Sequence, residues 1–157
     1  QPLIAFTDYS EIKNGLEVKD NKLLKIKRIL LTSLKNPNNW NSVSKRRRCL
    51  SFGNPICCPS VTYCLDNVKQ PIFEVGMKSN IDWGAWEALS KLQGEFAYIP
   101  EILMSHRIHE ESTTTAVIAG KKGRSLEDYE MFCKFWPKWV SRMIEHFYKE
   151  SEKQNGN

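Results

Sequence analysis

The run from Asn80 to Thr114, NIDWGAWEALSKLQGEFAYIPEILMSHRIHEESTT, constrains the fold more than any other part of the chain. Asp82 opens an aromatic, helix-like segment, and a glycine turn and a short apolar strand follow. A polar cluster with His106, Arg107, His109 and Ser112 comes next. A compact helix–turn–strand unit of this kind carries a carboxylate at a helix start and a His/Arg group to one edge of a sheet. Short strands mixed with helices predict an α/β or α+β class.

Elsewhere the patterns are shorter. Leu3–Phe6 reads as a strand running into a polar turn, Thr7-Asp8-Tyr9, and Asn14-Gly15 marks a tight hairpin turn. Leu23, Ile26, Leu30 and Leu34 recur at helical spacing between Lys25, Lys27 and Arg28, which predicts a basic amphipathic helix over 22–34 that ends in the Asn-Pro-Asn-Asn stretch at 36–39. Ser42–Leu50 reads as a Ser-capped helix, Ser60–Leu65 as a strand, and Asp82–Leu92 as a helix closed by Gly94. Phe96–Ile99 and Ile102–His106 read as two strands separated by Pro100. Lys121–Arg124 is expected to be a Gly/Lys loop. Ser125 with Asp128 then starts a long helix to about Glu152, which Pro137 kinks or restarts, and the polar tail Ser151–Asn157 is expected to fray.

With 157 residues the chain has enough length for one domain and one core. No apolar run approaches the ~20 residues of a membrane span, and Gln1–Tyr9 lacks a signal pattern, so a cytosolic setting is expected. The five cysteines are odd in number and contain no CxxC pair, which points to reduced thiols rather than a disulfide or zinc scaffold. Residues 1–60 hold 11 Lys/Arg against 4 Asp/Glu, whereas residues 61–157 hold 12 against 14. That asymmetry suits an anionic partner or membrane surface, and equally a solvated helix face. The run Lys45-Arg46-Arg47-Arg48 lies in this basic third. It is short and has no recognition-module pattern around it, so a solvated face, or contact with an acceptor or lipid phosphate, is expected before nucleic acid. The chain also lacks GxGxxG and GxxxxGK and begins directly on a strand, so it reads as the second half of a larger nucleotide-binding α/β fold.

Asp82-Trp83-x-x-Trp86-x-x-Leu89, Gly94, Phe96-x-Tyr98-Ile99-Pro100-Glu101-x-Leu103 and Arg107-Ile108-His109-x-x-Ser112-Thr113 occur in that order. This set resembles the acceptor-side half of family 2 glycosyltransferases with the GT-A fold, loosely over 3–114 and closely over 80–114. The resemblance implies an α/β, partial GT-A architecture, with residues 1–120 as the acceptor-side, catalytic-base half and 121–157 as a helical extension. It implies an inverting transferase in bacterial cell-surface glycan assembly, taking a nucleotide-diphospho-sugar donor and a glycan or lipid-linked acceptor with Mg2+ or Mn2+. Asp82 occupies the position of the general base, His109 that of a diphosphate and metal contact, and Arg107 that of a further diphosphate contact. Asn54, in Gly53–Cys58, and Trp83 would meet the acceptor. The corresponding setting is the cytoplasm, at the inner face of the membrane.

Two departures matter. The donor half with Asp-x-Asp is missing, and Thr7-Asp8-Tyr9 supplies one carboxylate rather than two, so the chain alone is expected to be inactive. There is no Q-x-x-R-W motif, which implies a non-processive enzyme. Read from the residues alone, Asp82 is equally a first-turn acid of its helix, and Trp83, Trp86, Phe96 and Tyr98 are equally core aromatics. In the terminal helix Tyr129, Phe132, Phe135, Trp136, Trp139, Met143 and Phe147 form an aromatic side suited to the domain, to a homodimer contact or, more sharply, to a membrane surface. The alternative function is a non-catalytic binding or oligomerisation module on the same scaffold.

Overall fold

The computed structural model describes residues 1–73, 76–108 and 121–155, with side chains described outside 121–125 and 148–155. It is a mixed α/β arrangement. Strand β1 (Pro2–Lys13) is the centre of a four-stranded sheet. Its far end turns through Asn14 and Gly15, at φ 52° and 78°, into the antiparallel β2 (Leu16–Val18), as the Asn-Gly pair predicts. Its near end pairs antiparallel with β3 (Val61–Tyr63), and β4 (Glu95–Ile108) runs parallel along its length.

Two expectations fail here. Thr7-Asp8-Tyr9 is not a turn: it lies inside β1, where the Asp8 and Tyr9 side chains find partners without the chain bending. Asp8 accepts from Arg28 Nε at 2.6 Å, Tyr9 Oη accepts from Lys27 Nζ at 2.8 Å, and Ser10 Oγ reaches Glu17 and Ser105. Nor does Pro100 split β4. Thr7 faces Ile99 and Asp8 faces Ile102, so Pro100 and Glu101 form a bulge where a missing N–H costs no ladder bond.

Helix α1 (Lys22–Leu30) is capped by Asn21, whose side chain accepts from Leu24 N–H, and passes into a 3-10 turn over Leu31–Lys35. α2 (Val43–Leu50) starts at the expected Ser42 cap. α3 covers Ile81–Ser90. α4 (Lys121–Cys133) begins where a loop was expected: Lys, Lys and Arg favour helix, and the single Gly123 costs only about 1 kcal/mol. Pro137 restarts the chain as α5 (Lys138–Asn155), its carbonyl accepting from Ser141 N–H at 3.0 Å. No helix among the described residues is long and apolar enough to cross a membrane.

The core gathers Leu3, Ile4 and Phe6 of β1, Leu50 of α2, Trp83, Trp86 and Leu89 of α3, Phe96 and Tyr98 of β4, and Met131 and Phe132 of α4. Arg46 belongs to it too, against the expectation of a solvated basic face. The side chain is 0% exposed. It donates to the carbonyls of Gly94 and Leu92, beyond the C-terminus of α3, and lies 5.2 Å from the centre of the Phe96 ring. Gly94 sits at φ 138°, and a Cβ there would meet Leu3 Cγ at 2.7 Å. That close approach lets β4 start directly beside β1.

A candidate acid–base site around Asp82

The start of α3 is anchored from α4. Glu127 Oε1 accepts from the Lys78 N–H at 2.8 Å. Its Oε2 takes the Ser79 N–H at 2.8 Å, the Asn80 N–H at 3.1 Å and the Ser79 hydroxyl. Asn80 Nδ2 donates to Asp128 at 2.7 Å. These bonds hold Glu127 below the usual carboxylate range although burial pushes it the other way. The segment leading into Asp82 is therefore held by a fixed set of bonds rather than by its own propensity.

Asp82 is partly buried in the first turn. Its Oδ1 accepts from Trp83 N–H at 2.8 Å, and its Oδ2 accepts from Asn54 Nδ2 at 2.8 Å. Asn54 is held in turn, its Oδ1 accepting from Ile56 N–H at 3.2 Å. Burial raises the Asp82 pKa, and the opposing Trp83 N–H, the Asn54 amide and the charge of Lys27 do not cancel it. A first-turn acid serving only its helix would be held down by the helix dipole. The net rise marks a carboxylate whose desolvation exceeds its compensation.

Around it lie weakly acidic groups kept neutral. Burial pushes the Cys57 thiol up to about 12 and raises Cys58, with the Asp82 charge adding to both. The Tyr63 phenol, hydrogen-bonded to Cys58, is raised as well, again by burial first. Beneath, Tyr9, Leu24 and Cys57 form a small buried cluster with Met104 against it, and Lys27 Nζ lies 5.3 Å from the centre of the Tyr9 ring. His106 meets the Tyr9 ring edge-on at 6.3 Å. Tyr9 is thus ringed by Lys27, His106 and the buried Glu11, which pairs with His106 in register, and both Glu11 and Asp82 act on the Cys57 thiol.

The expected site residues separate. Asp82 and Asn54 are brought together. Trp83 is not open to an acceptor: it is 1% exposed, its Nε1 donates to Leu50 O, and its ring packs edge-on against Phe132. Its position beside Asp82 on the helix turns it inward, which is the core role the spacing equally allowed. Arg107 is exposed and pairs with Ile12, so by strand alternation it faces the other side of the sheet from His106. His109 lies outside the described residues, as do Ser112 and Thr113. Asp8, the lone carboxylate of Thr7-Asp8-Tyr9, is engaged by Arg28. Cys57 lay in the Gly53–Cys58 stretch expected at the acceptor, but that Tyr9 and Lys27 join it had no sequence signal, since their proximity depends on packing of α1 and the 54–58 loop over β1.

Among the described residues no group of three or more His, Cys, Asp or Glu side chains is placed to hold a metal ion. In comparisons with known proteins, no family model, curated protein or solved structure matches the chain.

Proposed function

We propose that this chain forms the acceptor-side part of an inverting, non-processive glycosyltransferase with a GT-A-like fold, and that Asp82 is its general base. One observation carries the reading: a carboxylate at the start of α3, held by two neutral donors and raised by burial. A base with its pKa shifted toward the working pH takes a proton better while still ionised. In the proposed step an acceptor hydroxyl oxygen bonds to the anomeric carbon of a nucleotide-diphospho-sugar. The bond from that carbon to the diphosphate breaks with its electron pair, and the hydroxyl proton passes to Asp82. Asn54 keeps the carboxylate oriented, and Lys27 favours its charged form. Mg2+ or Mn2+, when bound, would supply charge stabilisation at the departing diphosphate; His109, which this reading assigns to it, lies outside the described residues. The acceptor class in this reading is a glycan or lipid-linked hydroxyl, met on the cytoplasmic side of a membrane during cell-surface glycan synthesis.

The test is release of nucleoside diphosphate, by the native protein carrying this sequence, from a panel of nucleotide-sugars with and without added acceptors. Asp82→Asn is expected to lower turnover about 10²–10⁴-fold with donor affinity unchanged. Near-normal turnover in that variant refutes the role of Asp82. A wild-type protein inert toward every donor favours instead a non-catalytic binding module, for which the exposed aromatic side of α5 is the supporting observation.

A further inference from the structure

Helix α5 turns its largest apolar side chains away from the molecule. Trp139, Met143 and Phe147 are 68%, 54% and 64% exposed, whereas Ser141 is buried and Ile144 packs against the core. At about 100° per residue the three exposed residues lie within about 80° of the helix circumference, so they form one continuous stripe. Lys138 and Arg142, both exposed, flank the stripe on one side with half-buried Glu145 next to them, and Lys134, whose Nζ lies 4.0 Å from Glu87, precedes the helix. At its N-terminal end, Trp136 packs on exposed Phe52 with ring centres 5.1 Å apart. Next to this pair is an open groove of about 190 Å³ lined by Ser44, Arg47, Arg48, Ser51, Phe135 and Trp136. Arg47 is committed to Glu87 at 2.7 Å, while Arg48 is exposed and has no ion pair among the described residues.

We propose that this face docks on the surface of an anionic phospholipid bilayer, independently of the role of Asp82. The stripe enters the headgroup–acyl boundary, and Arg48 in the groove meets a lipid phosphate. The arrangement has the parts of an in-plane interfacial helix: an aromatic-rich apolar side, a cationic flank and too little apolar length to span. Charge complementarity points to the bilayer: the exposed cations Lys138, Arg142 and Arg48 beside the stripe exceed the acid Glu145 on the same flank, and anionic lipid headgroups neutralise them.

The experiment is co-sedimentation of the full chain with vesicles of phosphatidylcholine alone and of phosphatidylcholine containing phosphatidylglycerol, at low and high salt. Binding to the phosphatidylglycerol vesicles, weakened by salt, is expected, with a blue shift of tryptophan emission that Trp139→Phe reduces. The surface double variant Trp139→Ser/Phe147→Ser is expected to lower partitioning at least about tenfold. Arg48→Ala is expected to lower it about fivefold, with far-UV circular dichroism unchanged in both. Equal binding to both vesicle types, no binding to either, or wild-type partitioning in both variants overturns the proposal. So does a stable dimer in light scattering that the double variant dissociates, since a second copy would then occupy the face.

Discussion

Asp82 and Glu87 stand on the same helix, and their environments are opposite. Glu87 is 1% exposed, which is more shielded than Asp82. Burial alone would raise it. Its oxygens instead lie 2.8 Å from Lys91 Nζ, 2.7 Å from Arg47 Nη1 and 4.0 Å from Lys134 Nζ, and these hydrogen bonds and charges hold it below the usual carboxylate range. Arg47 is itself fixed, donating to the Lys134 carbonyl at 2.8 Å and lying 4.9 Å from the centre of the Phe135 ring. Asp82 has two neutral donors and a more distant ammonium, and its pKa goes up. The two differ in desolvation and in compensation: Glu87 is hydrogen-bonded by two cations and ties α2, α3 and α4 together, while the burial of Asp82 is only partly offset by its neutral donors and Lys27.

The largest expected effect comes from erasing the uncompensated member. Asp82→Asn is expected to lower turnover about 10²–10⁴-fold while the urea midpoint at neutral pH holds or rises, and a collapse of stability instead would make Asp82 structural. Next, Glu87→Ala leaves three cations facing a cavity. The expected loss is about 3 kcal/mol in a urea titration, toward the low end for buried pairs because Lys91 and Lys134 reach solvent. Little or no loss would erase the distinction between the two acids.

Glu127→Ala is expected to cost about 1–3 kcal/mol, since three backbone N–H groups and the Ser79 hydroxyl lose their acceptor. It also tests whether α4 positions the site: amide hydrogen exchange at 78–83 should speed up, and unchanged protection there would deny that anchoring. The pH dependences have opposite signs. Glu87, with its folded pKa lowered, contributes stability above the ordinary 4.5 that is lost as pH falls through the lowered value. Asp82, with its folded pKa raised, costs stability as pH rises from the ordinary 3.8 through the raised value. Unfolding curves of wild type and Asp82→Asn across that window should converge at its acid end and differ in slope within it; parallel curves would mean that the Asp82 pKa is not raised. The smallest effect is on tuning. Asn54→Ala removes a hydrogen bond that favours the ionised carboxylate, so the acid limb of kcat/KM should move to higher pH by about one unit or less. A limb that stays in place, or moves down, argues against Asn54 as the orienting group.

Local signals were legible where a residue's own stereochemistry decides. Asn14-Gly15 supplies two consecutive positive φ values, Ser42 caps α2, and Gly94 closes the approach of α3 to β4, all as their residue types predict. The Asn54–Asp82 pairing was legible only as two separate candidates, because its hydrogen bond spans 28 positions. The polar run Thr7-Asp8-Tyr9 and the break at Pro100 misled for separate reasons: Arg28 and Lys27 satisfy the Asp8 and Tyr9 side chains of one, and a bulge between the Thr7 and Asp8 pairings absorbs the other. Trp83 misled differently. Its neighbour relation to Asp82 is local, but which side of the helix meets the core is set by Phe132 and Leu50.

By itself, then, the amino-acid sequence determined the mixed helix-and-strand class, the principal turn and caps, the presence of a carboxylate at the head of an aromatic helix, and an amphipathic C-terminal helix. Those follow from φ preferences, periodicity and capping chemistry, which act over a few residues. Tertiary structure decided which carboxylate is neutralised and which is strained, that Arg46 is a buried cap and Trp83 a core ring, and that Trp139, Met143 and Phe147 face outward. Such outcomes depend on desolvation and on partners from elements far apart in the chain, and neither is carried by the spacing of residues along it.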